Sequence, residues 1–237
     1  MIKMKNEDKL HYRSRSYHIS KYFLTPYIVI KAYPLPLGIG FDRVSEFNIT
    51  YFRFGDDTNN RRYLVISKGV LNCDSNPLIR INSACPWGIL GSVQCDCSWQ
   101  FEESKRILDK DGSGAIIYAF DHLGKGVGLE NHSIINAEEH LKNPNKPLYE
   151  KDIWADPFIR FGGKLDYRVF DDVIDIIGHF NIKNMRLLTN NPLKLNLFEK
   201  YGITIKRVPL EMPLIMFNKK EYVLKKEIGK HMLILFS

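Results

Sequence analysis

The chain is predicted to be an α/β protein with a mixed sheet, β-rich in its N-terminal part and alternating strand with helix in its C-terminal half. Three observations carry that expectation. Before residue 85, apolar and β-branched runs are broken by turn-rich stretches without helical periodicity. After residue 97 the apolar spacing lengthens to three or four residues. Between these regimes lies Ala115 to Phe120 (AIIYAF), a short apolar run behind a glycine and the pattern of a buried strand. With 44% hydrophobic residues the chain can bury a substantial core, and no repeat or linker divides it, so one domain over 21–237 is expected.

Residues 1–20 are polar and basic and read as a flexible arm. Tyr22 to Tyr33 reads as a strand that breaks at PLPLGIG, because proline and glycine punctuate extended chain. Phe47 to Phe54 and Arg62 to Lys68, joined by GDDTNN, predict an antiparallel pair, and Leu78 to Ile81 a further strand. Ser98 is placed to cap a helix with Phe101, Ile107 and Leu108 on its apolar face, ended by DGSG. Residues 141–164 hold three prolines and read as a long loop, a kind of segment that in compact domains tends to serve function. A helix is expected from Asp166, since Val169, Phe170, Val173, Ile174 and Ile177 recur at helical spacing. Arg186 to Thr189 reads as a buried strand, Asn190 or Asn191 with Pro192 opens the next helix, Gly202 closes it, and Ile203 to Val208 is the last strand.

The formal net charge is +7, yet the basic residues are scattered among 27 acids. A solvated surface, or a site for a polyanionic small molecule such as a nucleotide, explains this better than a nucleic acid. The N-terminus lacks the apolar centre of a signal peptide and no run of eighteen apolar residues occurs, so neither a membrane partner nor export is expected and the cytoplasm is the predicted compartment.

The stretch that points to chemistry is CPWGILGSVQCDCSWQ, residues 85–100. Three of the four cysteines, Cys85, Cys95 and Cys97, fall in its first thirteen residues. Three thiolates from one loop can close on a tetrahedral metal and leave a fourth position open, the pattern of a catalytic zinc site; the alternative is three buried, reduced cysteines. Zinc at such a site brings the pKa of a coordinated water to about 7, which suggests a hydrolase. Cys73 stands apart from this cluster. GKGVG at 124–128 is either a turn or a loop whose amides meet phosphate.

From about Arg80 to Leu210 the sequence resembles GTP cyclohydrolase II, the zinc enzyme that opens riboflavin biosynthesis. The resemblance rests on Cys85, Cys95, Asp96 and Cys97 with Gln100, on GKGVGL, on Asp166-Tyr167-Arg168, and on RLLTNNPLK at 186–194 with YGI and RVPL behind it. It implies a purine nucleoside triphosphate substrate, most directly GTP, attacked at the imidazole carbon with release of formate and pyrophosphate. It further implies one Zn²⁺ per chain on the three cysteines, Mg²⁺ on the nucleotide phosphates, and a homodimer. By position Asp166 resembles the family's general base and Arg168 an arginine acting at the α-phosphate, whether as nucleophile or by stabilising charge. Arg80, Asn82, Ser83, Gln100, Gly124, Lys125, Thr189 and Lys194 fall at substrate-contacting positions.

The chain is a divergent member by this comparison, of a kind that would suit secondary metabolism. The family's His and Glu before the first cysteine are Asn82 and Ala84, its Thr-Gly-Asp is Trp87, Gly88 and Ile89, and Gln94 replaces an arginine. Its Gln-Glu-Gly-Arg is His122, Leu123, Gly124 and Lys125, and its catalytic tyrosine falls on Asn136. Leu123 cannot accept the hydrogen bonds that a carboxylate would, so the base is held differently or is a different base. The alternatives are an inactive nucleotide-binding homologue, a different nucleotide, or a formamidopyrimidine product. His122, His132 and His140 read as structural or exposed.

Overall fold

A computed structural model describes residues 15–19, 26–56, 58–213 and 219–236. Eight strands form one sheet: β1 (Arg15–Ile19), β2 (Pro26–Ile39), β3 (Arg43–Gly55), β4 (Asn60–Lys68), β5 (Leu78–Ser83), β6 (Gly114–Ala119), β7 (Asn184–Leu188) and β8 (Thr204–Val208), in the order β1-β2-β3-β4-β6-β5-β7-β8. β1 to β4 are an antiparallel meander, β4 pairs antiparallel with β6, and β6, β5, β7 and β8 run parallel. The predicted β-rich part and α/β part therefore share one sheet.

Local chemistry explains the meander. At the β3–β4 turn the Asp56 carboxylate accepts hydrogen bonds from the Thr58 and Asn59 amides, each at 2.8 Å. Gly55 sits there at φ +85°, where a Cβ would come 2.1 Å from the Asn59 carbonyl oxygen, so only glycine closes the turn.

Two expectations for this region are corrected. β2 runs on through PLPLGIG after an irregularity between Ile30 and Tyr33, and Pro34 and Pro36 pair with Asn48 and Glu46 of β3. Among the described residues β1 pairs with β2 only as far as Ile30, so no described strand pairs with the proline positions on that side and a missing N–H costs no ladder bond there. Of the expected basic arm, residues 15–19 form β1, and the remainder lies outside the described residues.

The helices are α1 (Pro86–Ile89), α2 (Cys97–Asp111), α3 (Gly128–Lys142), α4 (Asp156–Gly162), α5 (Asp171–His179), α6 (Pro192–Glu199) and α7 (Lys219–Glu227). One face of the sheet packs on α5, whose Val173, Ile174, Ile176 and Ile177 are fully buried against Phe52, Val65, Ile79 and Ile117. At about 1.5–3 kcal/mol for each aliphatic side chain removed from water, this helix is a main contributor to the core. The other face takes Leu108 of α2 against Phe47, Ile66 and Ile116. Among the described residues no helix is long and apolar enough to cross a membrane.

Three helix boundaries depart from expectation. α5 starts at Asp171 rather than Asp166. The Asp166 carboxylate accepts the Arg168 amide at 3.1 Å and Tyr167 N–H donates to Lys125 O at 2.8 Å, bonds that hold 166–168 out of the helix as a loop. α2 is preceded by Asp96, not Ser98, and Asp96 leaves its helix uncapped because Lys225 holds its carboxylate at 2.7 Å. The 141–164 segment contains a 3₁₀ turn (Leu148–Glu150) and α4, which starts where Asp152 accepts the Trp154 and Ala155 amides at 2.9 Å each. A seven-residue helix is too short for periodicity to reveal it.

Candidate active site

The carboxyl ends of β5, β6 and β7 open onto a cavity of about 660 Å³, where open α/β sheets bind their ligands. All the residues singled out from the sequence as metal, substrate or catalytic candidates line it: Cys85, Cys95, Cys97, Arg80, Asn82, Ser83, Gln100, Gly124, Lys125, Asn136, Asp166, Arg168, Thr189 and Lys194. Cys73 does not.

β5 delivers Arg80 to Ser83 and ends just before Cys85; α1 then turns the chain so that Cys95 and Cys97 return to it. The three sulfurs lie within 4.8 Å of one another, with Cys85 Sγ 3.4 Å from Cys95 Sγ. A tetrahedral ion with metal–sulfur bonds of about 2.3 Å needs its sulfurs about 3.8 Å apart, so small shifts of the three side chains bring the triad to metal-binding spacing. Hydrogen bonds from Cys95 and Cys97 push the Cys85 thiol far down, while bonding to Cys85 pushes the other two up. A thiolate on Cys85 thus shares the protons of its neighbours, which a bound cation would displace.

The same cavity holds the buried cations Arg80 and Lys194 and the part-buried Arg168. Arg80 donates to Leu188 O at 3.1 Å and to Gln100, and burial brings its pKa down to about 10. Lys194, on α6 behind an Asn191 cap, donates to Ile81 O at 2.9 Å; burial, with Arg80 and Arg168 nearby, pushes it well below its usual value. Arg168 forks onto Asp166, with Nε 2.8 Å from Oδ1, and also reaches Ser83 Oγ at 3.3 Å. Burial pulls the Asp166 pKa up, but hydrogen bonding and charge from Arg168 outweigh it and leave the carboxyl below its ordinary range. Three cations that repel one another around one carboxylate would be relieved by a polyanion.

GKGVG serves as packing. Gly126 has φ +89°, and a Cβ there would come 2.7 Å from the Tyr167 backbone, so glycine is what lets the Asp166–Arg168 segment approach. Lys125 points inward, donating to Trp154 O with its Nζ 3.9 Å from the Trp154 ring centre, and burial pushes its pKa well down. Thr189 accepts the Asn191 amide at 3.1 Å, and Asn82 donates to Ser83 O at 3.2 Å.

α3 places His132, Asn136 and His140, four residues apart, along the cavity wall. Trp87 Nε1–H donates to His132 Nδ1 at 3.0 Å, so the neutral ring carries its proton on Nε2. Sequence reasoning missed the contribution of the C-terminal segment: Glu221, Lys225, Gly229, His231 and Leu233 also line the cavity. The nine residues of α7 are mostly lysine and glutamate, the composition of an exposed helix, and carry no cue to burial.

His122 is buried and neutral. Its Nε2–H donates to Val169 O at 2.7 Å, and burial, with Arg168 adding, brings its pKa from 6.5 to about 3. The unfolded chain therefore binds a proton here between pH 6.5 and about 3 that the folded chain does not, and this share of stability is lost as pH falls through that window. His122→Gln, which retains a donor for Val169, should flatten the melting temperature against pH between 6.5 and 4. An unchanged slope in differential scanning fluorimetry would refute this source of acid sensitivity.

The sequence model of GTP cyclohydrolase II matches residues 41–209. The GTP cyclohydrolase-2 of Picrophilus torridus is 33% identical over 192 residues, 80% of this chain and 93% of that protein. The GTP cyclohydrolase-2 of Tolumonas auensis is 32% identical over 205 residues, 84% of this chain and 93% of its own. The riboflavin biosynthesis protein RibBA of Parabacteroides distasonis is 30% identical over 202 residues, and there the chain spans about half, 47%, of the relative's length.

Proposed function

The chain belongs to the GTP cyclohydrolase II family, and from that premise we propose that it is a zinc-dependent hydrolase opening the imidazole ring of a purine nucleoside triphosphate, GTP first, with loss of pyrophosphate. The observation that carries this reading is the meeting of three cysteine sulfurs with Arg80, Arg168, Lys194 and Asp166 in one cavity. When bound to Cys85, Cys95 and Cys97, zinc supplies the Lewis acidity that makes water a nucleophile at neutral pH.

The chain's own residues do the rest. Arg80 and Lys194 are buried cations placed to take phosphate oxygens, with Mg²⁺ sharing the triphosphate charge. A guanidinium forked onto a carboxylate keeps its proton, so Arg168 acts by stabilising charge on the phosphate rather than as a nucleophile. When a triphosphate draws Arg168 away, Asp166 loses the partner that depresses its pKa and becomes a stronger base.

Releasing formate takes two hydrolyses: ring opening, then cleavage of the formamide. Asn136 lacks an acidic proton for the departing amine of the second. Nucleoside triphosphates with Mg²⁺, assayed separately for pyrophosphate and formate, test the whole reading. We expect pyrophosphate and a formamidopyrimidine nucleotide to exceed formate, and Asn136→Tyr to raise formate yield. Stoichiometric formate from the wild type would remove the role given to Asn136 and show that another group along the cavity wall, His132 or His140, protonates the amine. The same preparation should have the mass of a homodimer, since Tyr33, Leu35, Phe41 and Val44 of the β2–β3 hairpin are exposed apolar side chains; a monomer by light scattering would remove that part.

A further inference from the structure

Among the described residues, four buried polar atoms on side chains lining the cavity have no hydrogen-bond partner: Arg80 Nε, His122 Nδ1, Asn136 Oδ1 and Glu221 Oε2. An orphaned polar atom in a protein interior costs free energy, so at a binding cavity it marks where a ligand is expected to complete the bonding. Glu221 is the only carboxyl group of the four, and when ionised its bonds are about twice as strong as neutral ones.

Its placement is specific. Lys225 Nζ lies 2.7 Å from Glu221 Oε1 and 2.7 Å from Asp96 Oδ2. Asp96 stands between two of the sulfur ligands, Cys95 and Cys97. One buried ammonium thus ties α7 to the cysteine loop, fixes one oxygen of Glu221, and leaves the other without a donor. Burial raises the Glu221 pKa to about 7, and the Lys225 ammonium opposes that rise. A purine whose imidazole carbon meets the sulfurs presents its pyrimidine edge at the far end of a rigid planar ring, and Glu221 lines the same cavity, joined through Lys225 to Asp96 of the cysteine loop.

We propose that Glu221 reads the base, its second carboxylate oxygen accepting hydrogen bonds from the N1–H and 2-amino groups of guanine and so selecting GTP over ATP. This rests on the purine nucleotide reading above and adds a residue beyond the stretch, 41–209, that the family's sequence model matches. On the same edge adenine presents a lone pair at N1 and no 2-amino group. Facing a carboxylate it leaves both sides unpaired.

The test uses the zinc-loaded protein with Mg²⁺ and GTP, ITP or ATP, ITP lacking only the 2-amino group. The wild type should bind GTP at least about a hundredfold more tightly than ATP, with ITP between them. Glu221→Gln should weaken GTP about tenfold or more and shift ATP by less than about twofold, with the change in KM rather than kcat. Zinc content reports that the fold is intact. If the Gln variant loses zinc, Glu221→Asp decides, because it keeps the charge and shortens the reach: selectivity should fall, and retained selectivity overturns the proposal. An unchanged GTP-to-ATP ratio in zinc-replete Glu221→Gln also overturns it. A wild type that opens GTP and ATP equally well overturns base reading by Glu221 and leaves ring opening standing; one that opens no purine nucleotide overturns both.

Discussion

Cys97→Ser is expected to abolish zinc binding and with it ring opening. A hydroxyl does not ionise near neutral pH and is a poor ligand for a borderline-soft ion, so the variant keeps two thiolates where the open site uses three. Cys97 also begins α2 and its side chain lies among the sulfurs, so solvent cannot readily supply a replacement ligand in the same geometry. The Lewis acidity lost amounts to several kcal/mol of barrier, which corresponds to a fall in ring opening of about a thousandfold or more. Cys73→Ser, altering a free cysteine away from the cavity, should leave both properties unchanged. Metal analysis is the deciding measurement: full zinc occupancy in Cys97→Ser would show that the ligand set is wrong.

The second large effect is expected for Arg168→Lys. The substitution conserves charge, so attraction for a triphosphate is retained beside Arg80 and Lys194. It removes the planar fork that engages two oxygens of Asp166 and would engage two phosphate oxygens in turn. Turnover should fall about a hundredfold to a thousandfold, the usual consequence of removing a donor aimed at developing charge, while nucleotide affinity changes about threefold or less. Equal losses in turnover and affinity would assign Arg168 to simple binding, and unchanged turnover would remove it from the reaction.

What could be read in advance depended on how local the cause was. The Asn191 cap with Pro192, the buried strand behind Gly114 and the turn between β3 and β4 are decided by neighbours in sequence, and the residues name them. The start of α5 is not of this kind. Asp166 to Phe170 carry helical spacing, but an Asp166 side chain that accepts the Arg168 amide and a bond from Tyr167 to Lys125, forty-two residues earlier, hold them as a loop.

By itself the sequence determined the α/β class, the strands β3 to β8, the helices α2 and α6, the sulfur triad and the motifs that mark the family. Those follow from short-range periodicity, capping and ligand chemistry, each contained within a few residues. Only the tertiary structure decided that Asp96 gives up its helix for Lys225, that GKGVG is a packing surface for Tyr167, and that α7 supplies Glu221 to the cavity. The physical reason is distance along the chain. Lys225 and Asp96 are separated by 129 residues, and what drives their pairing is the cost of burying a charge without a partner, a cost that exists only once folding has removed the water.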